Sequence, residues 1–225
     1  DGFERVPADE KTISSLPCPD EITAPLLALA KEKGKVEEGE EEFFTSDVLD
    51  LFTPRPSEVE EKFRRTYAAE PQKAFDGLYD LGVKNDYVKY SAIARNKYWM
   101  ADSTRVPIEI TINLSKPEKN NKLTAKLRNV SAGYPKCMLC RENVGYEGQG
   151  RTRRNMRTVP LKLAGEDWFW QYSPYAYFYQ HGIAINAGHT PMVLDGKTFE
   201  KLLDFVDYAP QYFIGSNAPL PIVGG

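Results

Sequence analysis

Cys137 and Cys140 stand three positions apart in the stretch Gly133 to Asn143, GYPKCMLCREN, in a chain with one other cysteine, Cys18. Two residues between thiolates let both sulfurs reach one zinc ion at about 2.3 Å. The same spacing serves thiol–disulfide exchange when a helix begins straight after the first cysteine and lowers its pKa. Here the following RENVGYEGQG is too rich in glycine and polar residues for a convincing helix. A metal knuckle and an inert pair of small residues are the readings that remain open. A closed zinc site needs two more ligands, and the histidines are His181 and His189. His189, in NAGHTPM, falls on a tight loop after a strand-like run, where a side chain can be aimed back at another loop. His181, in YQHGIAI, lies inside that run and reads as a core or edge residue. Cys137, Cys140 and His189 make three candidate ligands, so cysteine and histidine alone do not close the site. Cys18, between prolines in LPCPD, is isolated and reads as structural or incidental.

Arg151, Arg153, Arg154 and Arg157 crowd into RTRRNMR. Guanidinium groups grip phosphate oxygens in pairs, so the cluster is either an anion site or a solvated basic loop. The aromatic run from Trp168 to Tyr179 suits a hairpin core better than base stacking, because no basic surface accompanies it. P-loop, GxGxxG, GxSxG and HExxH patterns do not occur.

Elements must position these residues, and 225 residues suffice for one large domain or two small ones. A content of 41% hydrophobic and 27% charged residues is that of a globular protein. The net charge of −3 gives no general attraction to nucleic acid or anionic membrane. No apolar run reaches the length of a bilayer span and no signal peptide is evident, so neither a nucleic-acid nor a membrane partner is expected. Three cysteines cannot build a disulfide framework; their scarcity points to a reducing compartment and a cytoplasmic protein. The chain opens at Asp1 without methionine, which suggests a processed start.

The first third is acidic and helical in pattern. Asp20 is placed to cap a helix through EITAPLLALAKEKG that Gly34 ends. The run Glu37 to Glu42 is a solvated linker or an acidic helix start. Ser57 and Glu60 have capping-box spacing, with Val59, Phe63 and Tyr67 on one face. A second helix over 71–81 buries Phe75, Leu78 and Leu81. The period then shifts to two: Ile108, Ile110, Ile112 and Leu114 alternate with polar residues, predicting a half-buried strand. RTVPLKL and WFWQYS around AGED predict a hairpin, and YAYFYQHGIAIN a further strand. DGKTFEKLLDFVDYA predicts an amphipathic helix with Phe199, Leu202, Leu203 and Phe205 or Val206 inward, and QYFIGSN a last short strand. The class expected is α+β, mostly antiparallel sheet with a packed helix, divided into a helical subdomain over 1–100 and an α+β domain over 101–225.

Five stretches, FTPRPSEVEEKF, EITINLSKPEK, GYPKCMLCRENVGYEG, QYSPYAYF and TFEKLLDFVDYAPQYFIGSNAPLPIVGG, together resemble the second bacterial type of galactose-1-phosphate uridylyltransferase. That family, UDP-glucose–hexose-1-phosphate uridylyltransferase, is placed in the histidine-triad superfamily. The resemblance runs from about Leu51 to Gly225, with a looser match in the helical segment before it. It implies a histidine-triad-like fold and a transferase of galactose metabolism, with UDP-glucose, UDP-galactose, galactose 1-phosphate and glucose 1-phosphate as partners and a homodimer as assembly. Uridylyl passes from UDP-glucose to a histidine and then to galactose 1-phosphate, chemistry that suits an imidazole nucleophile.

Carried over by position, Cys137, Cys140 and His189 match the family's metal ligands, for structural zinc or iron. Gly215, Ser216 and Asn217 match a stretch that handles nucleotide phosphates, and Asn155 and Arg157 fall where nucleotide contacts are placed. In the family a His-x-His motif follows the equivalent of LPIVGG, its first histidine completing the metal site and its second acting as nucleophile. The 225 residues contain no His-x-His. The chain is therefore expected to be the N-terminal part of such an enzyme, inactive by itself, with a metal that positions rather than catalyses. The alternative is a zinc-stabilised interaction domain without chemistry; a nucleotide hydrolase of the same superfamily fits the aromatic and PRPSEV segments less well.

Overall fold

Two prolines set the starts of the helices that matter most for the core. The computed structural model describes residues 9–103, 105–116, 133–135, 139–146 and 153–216. Its first helices are α1 (Glu10–Ser15), α2 (Asp20–Glu32) and α3 (Glu41–Asp50), followed by α4 (Pro56–Ala69), α5 (Pro71–Lys84) and the short α6 (Tyr90–Ile93). Pro56 occupies the first position of α4, so the extended Arg55 before it becomes the cap. Glu58 Oε2 accepts the Arg55 backbone N–H at 2.8 Å. The box expected at Ser57 and Glu60 is thus displaced by two residues, and only half of it forms, since an arginine side chain has no acceptor to return. Asp20 likewise starts α2 instead of capping it, and sits with Glu21 where the helix dipole favours negative charge. Gly34, at φ +63°, follows the end of α2 in the left-handed conformation that terminates helices. Glu41 and Glu42 open α3, the acidic helix start.

Val59 and Phe63 of α4 pack with Phe75, Leu78, Tyr79 and Val83 of α5. Phe75 is fully buried, and its ring meets Trp170 edge-on at 5.8 Å. That contact joins the helices to a three-stranded antiparallel sheet of order β3 (Val159–Leu163), β4 (Glu166–Tyr172) and β5 (Gly182–Asn186). The β3–β4 hairpin turns on Ala164 and Gly165, both at positive φ, the geometry of a two-residue turn matched to strand twist. Helix α7 (Gly196–Tyr208) covers the same face, its Phe205 stacked on Trp170 at 5.0 Å. The architecture is α+β, as expected. The division expected at residue 100 falls inside strand β1 (Lys97–Ala101), and the buried cluster draws on residues from both sides of it.

Several expected elements take another form. Strand β2 (Ile108–Ile112) pairs antiparallel with β1, yet Ile108 and Ile112 are 52% and 43% exposed: the strand forms without the predicted burial. The strand expected from Tyr175 begins only at Gly182. Residues 174–181 instead bind the helical segment through Lys89 N–H to Pro174 O and Asn96 Nδ2 to Ala176 O, with Gln180 at φ +51°. In α7 the buried residues are Thr198 and Phe205, whereas Phe199 and Leu203 are turned out to solvent. The tail expected as a strand carries no ladder as far as Ser216; Tyr212 and Ile214 pack on the core instead. Among the described residues no helix is long and apolar enough to cross a membrane.

Trp170 also dictates the start of β5, because its ring lies against Gly182. A Cβ there would stand 2.1 Å from Trp170 Cζ2. Gly182→Ala is expected to lower stability by about 1–3 kcal/mol through overpacking, read by urea denaturation followed by tryptophan fluorescence. An unchanged midpoint would show that the ring moves aside at no cost.

Candidate metal centre

The residues after the cysteine pair form one tight turn. A 3-10 turn spans Arg141–Asn143, directly after Cys140. Asn143, fully buried, donates from Nδ2 to Pro135 O at 2.9 Å, and its backbone N–H reaches Cys140 O at 3.0 Å. Tyr134 and Tyr146 stack at 4.0 Å across the base of the turn. Cys140 and Glu142 therefore project from a single braced unit. Cys137 lies outside the described residues.

The His189 loop is fixed from the other side. Register in β4–β5 pairs Trp168 with Asn186, so β5 ends beside the start of β4. Asn186 Nδ2 donates to Glu166 Oε2 at 2.9 Å, and Asn186 Oδ1 accepts the Gly188 N–H at 2.7 Å, an Asx-type turn. Three residues past the strand, His189 meets the 140–142 turn. Its Nδ1 lies 3.5 Å from Cys140 Sγ, and its Nε2 2.7 Å from Glu142 Oε1. The hydrogen bond from His189 is the main influence holding the Glu142 carboxyl below its usual pKa.

Cys140, Glu142 and His189 are positioned to hold a metal ion, with donor atoms all within 4.8 Å of one another. A tetrahedral zinc with ordinary bonds to sulfur and nitrogen spaces those two atoms about 3.6 Å apart, so the Sγ–Nδ1 separation fits the ion. The set also has the order of a thiol–imidazole–carboxylate relay, which would make Cys140 a nucleophile. Glu142 was not anticipated; its signal was the Cys-x-Glu spacing, which one turn of chain brings onto the same side.

The centre lies at the rim of a cleft of about 1160 Å³. That is at or above the upper end of small-molecule sites. The cleft floor is β5 and one wall is α7; Gly215 and Ser216 line it together with Cys140 and His189. Asn217 lies outside the described residues. His181 also lines the cleft, just before β5 rather than within it, and its imidazole meets the rings of Tyr177 and Phe178. Burial lowers its pKa, which favours a neutral ring.

Asn155 and Arg157 are not brought to the cleft. Asn155 exchanges hydrogen bonds with Asn85, Nδ2 to O in both directions at 2.6 and 2.7 Å, and accepts from Ser46 Oγ at 3.1 Å. Arg157 donates to Pro54 O and Asp50 Oδ1, Arg154 pairs with Asp47, and the buried Arg153 donates to Gln171 Oε1. These arginines spend their charge on acids of α3 and on the sheet, so the described part of RTRRNMR is a clasp. Arg151 lies outside the described residues.

A protein-family comparison places residues 9–191 in the galactose-1-phosphate uridyl transferase N-terminal domain. The chain belongs to that family. It is 44% identical over 209 residues to the galactose-1-phosphate uridylyltransferase of Lactiplantibacillus plantarum, covering 91% of the chain and 43% of the relative. Identity to the Streptococcus mutans enzyme is 47% over 206 residues, 89% of the chain and 42% of the relative. For galactose-1-phosphate uridylyltransferase 1 of Streptococcus pneumoniae it is 42% over 230 residues, 100% and 45%. The chain thus spans less than half the length of these curated relatives. No solved structure matches.

Asn155→Ala strands the Asn85 carbonyl and the Ser46 hydroxyl in the core and is expected to cost roughly 2–4 kcal/mol in urea denaturation. Lower uridine nucleotide affinity with unchanged stability would instead restore the expected nucleotide contact.

Proposed function

We propose that this chain forms the N-terminal part of a nucleotidyltransferase that exchanges UMP between UDP-glucose and galactose 1-phosphate through a uridylyl-histidine. The observation that carries this reading is the approach of His189 Nδ1 to Cys140 Sγ at the rim of the cleft, in a chain of this family. In the first half-reaction an imidazole nitrogen attacks the α-phosphorus, a P–N bond forms, and glucose 1-phosphate leaves with the bridging oxygen. In the second, a phosphate oxygen of galactose 1-phosphate attacks the same phosphorus and the imidazole is released with UDP-galactose. The attacking histidine is that of the His-x-His motif, not His181 or His189.

This chain's own residues shape the cleft and meet phosphate charge. Gly215 and Ser216 line one wall, and Arg141, Lys197 and Lys201 bring positive charge around it, Lys201 also pairing with Glu166. Cys140 and His189 would hold zinc, with Cys137 as a further ligand. Thiolate and imidazole suit zinc better than a hard cation. The ion would supply cohesion, tying the 140–142 turn to the 189 loop. Its position at the rim favours this role over the nucleophilic relay. The low cysteine content supports a cytoplasmic location, and we place the substrates as the four sugar phosphates and sugar nucleotides of that exchange.

Two measurements test this reading. Cys140→Ser is expected to abolish metal in elemental analysis and lower the melting temperature, since metal-binding energy of several kcal/mol is folding energy; metal content equal to the parent would remove the site. A protein spanning the full length of its relatives is expected to take up label from UDP-glucose carrying phosphorus-32 at the α-phosphate, stable to base and lost in acid. A protein that stays unlabelled and makes no UDP-galactose would overturn the transferase reading.

A further inference from the structure

Resting on the metal site above, we propose that Glu142 is a positioning residue: its carboxylate holds the Nε2–H of His189 and so turns Nδ1 towards the ion bound by Cys140. Two distances separate this role from direct ligation. An ion shared by an imidazole nitrogen and a carboxylate oxygen in tetrahedral geometry spaces them about 3.4 Å apart. Nε2 and Oε1 are 2.7 Å apart, a direct hydrogen bond with no room for an ion between them. On the opposite side of the ring, Nδ1 and Sγ are 3.5 Å apart, close to the spacing an ion would impose.

Proton bookkeeping gives the same assignment. A carboxylate only accepts, so Nε2 carries a ring proton, and Nδ1, facing the sulfur, is the nitrogen left to offer its lone pair to an ion. Both grips come from one turn, because Cys140 and Glu142 flank Arg141 on the unit braced by Asn143. A carboxylate on the far nitrogen also makes the near nitrogen a stronger donor to metal. Half of each side chain of the His189–Glu142 pair is solvent-exposed, so substitution there leaves the buried packing intact.

The test uses the full chain, stripped of metal by chelation, with Zn²⁺ affinity measured by competition with a chromophoric chelator and Co²⁺ absorption reporting the ligand set. Glu142→Ala is expected to weaken Zn²⁺ binding about 10–100-fold while the Co²⁺ bands keep their energies and intensity. Glu142→Gln, whose amide oxygen still accepts the Nε2–H, is expected to recover most of that affinity. Equal loss in both variants with altered Co²⁺ bands would make Glu142 a ligand and overturn the proposal. Parental affinity in Glu142→Ala would overturn it as well. His189→Ala separates the two levels: if it and Cys140→Ser also bind like the parent, the metal site itself fails, whereas neutral Glu142 variants beside impaired His189→Ala and Cys140→Ser sink only the positioning role.

Discussion

Two loops from distant parts of the chain have to hold a sulfur and a ring nitrogen 3.5 Å apart, and most of the described fold bears on that requirement. Loops left to themselves lose such a geometry to conformational entropy, at about 1–2 kcal/mol for each residue that must be ordered. Here the ordering comes from strand register and from small polar anchors. The β4–β5 ladder brings Asn186 opposite Trp168, Asn186 turns the chain at Gly188, and His189 follows. On the facing side, buried Asn143 and the Tyr134–Tyr146 stack hold the turn that carries Cys140 and Glu142.

Strand β4 is the member on which both the core and the site depend. One of its faces carries Trp168, Trp170 and Tyr172, which take up Phe75 from α5 and Phe205 from α7. Its other face buries Phe169 and Gln171, and Gln171 accepts from Arg153. Helices before the sheet and the helix after it therefore meet on the same tryptophan. The helical segment is tied further by α3, whose Asp47 and Asp50 pair with Arg154 and Arg157, while Ser46 closes the Asn85–Asn155 pair. This gives the acidic N-terminal helices a mechanical role, with α3 bound directly to the loop that leads into β3.

The chemistry available at the rim follows from having donors of different kinds on one turn and one loop. Sulfur and imidazole favour a borderline-soft ion, and a carboxylate on the remote ring nitrogen completes the arrangement common to metal-bound histidines. The adjoining cleft, walled by α7 and the segment ending in Gly215 and Ser216, has the size for a nucleotide sugar. The uridylyl transfer proposed above is a reading that uses all of these features together.

Much was legible in the residues alone. Periodicity located α4, α5, α7 and the β3–β4 hairpin, because a helix or strand with one buried face must repeat its apolar residues at that element's own period. Cys140 and the His189 loop, both singled out by residue type, do meet in the fold, and long particular motifs pointed to the family. Burial was not legible: Ile108, Ile112, Phe199 and Leu203 have the pattern of inward residues, but what covers an apolar face is decided by other elements, and pattern is local. The same limit applied to Asn155, Arg157 and Glu142. Whether an amide, a guanidinium or a carboxylate meets a nucleotide, an aspartate or an imidazole depends on which distant segment folds against it, and only the packing of α3 on the 153–157 loop and of the 189 loop on the 140–142 turn settled those partners.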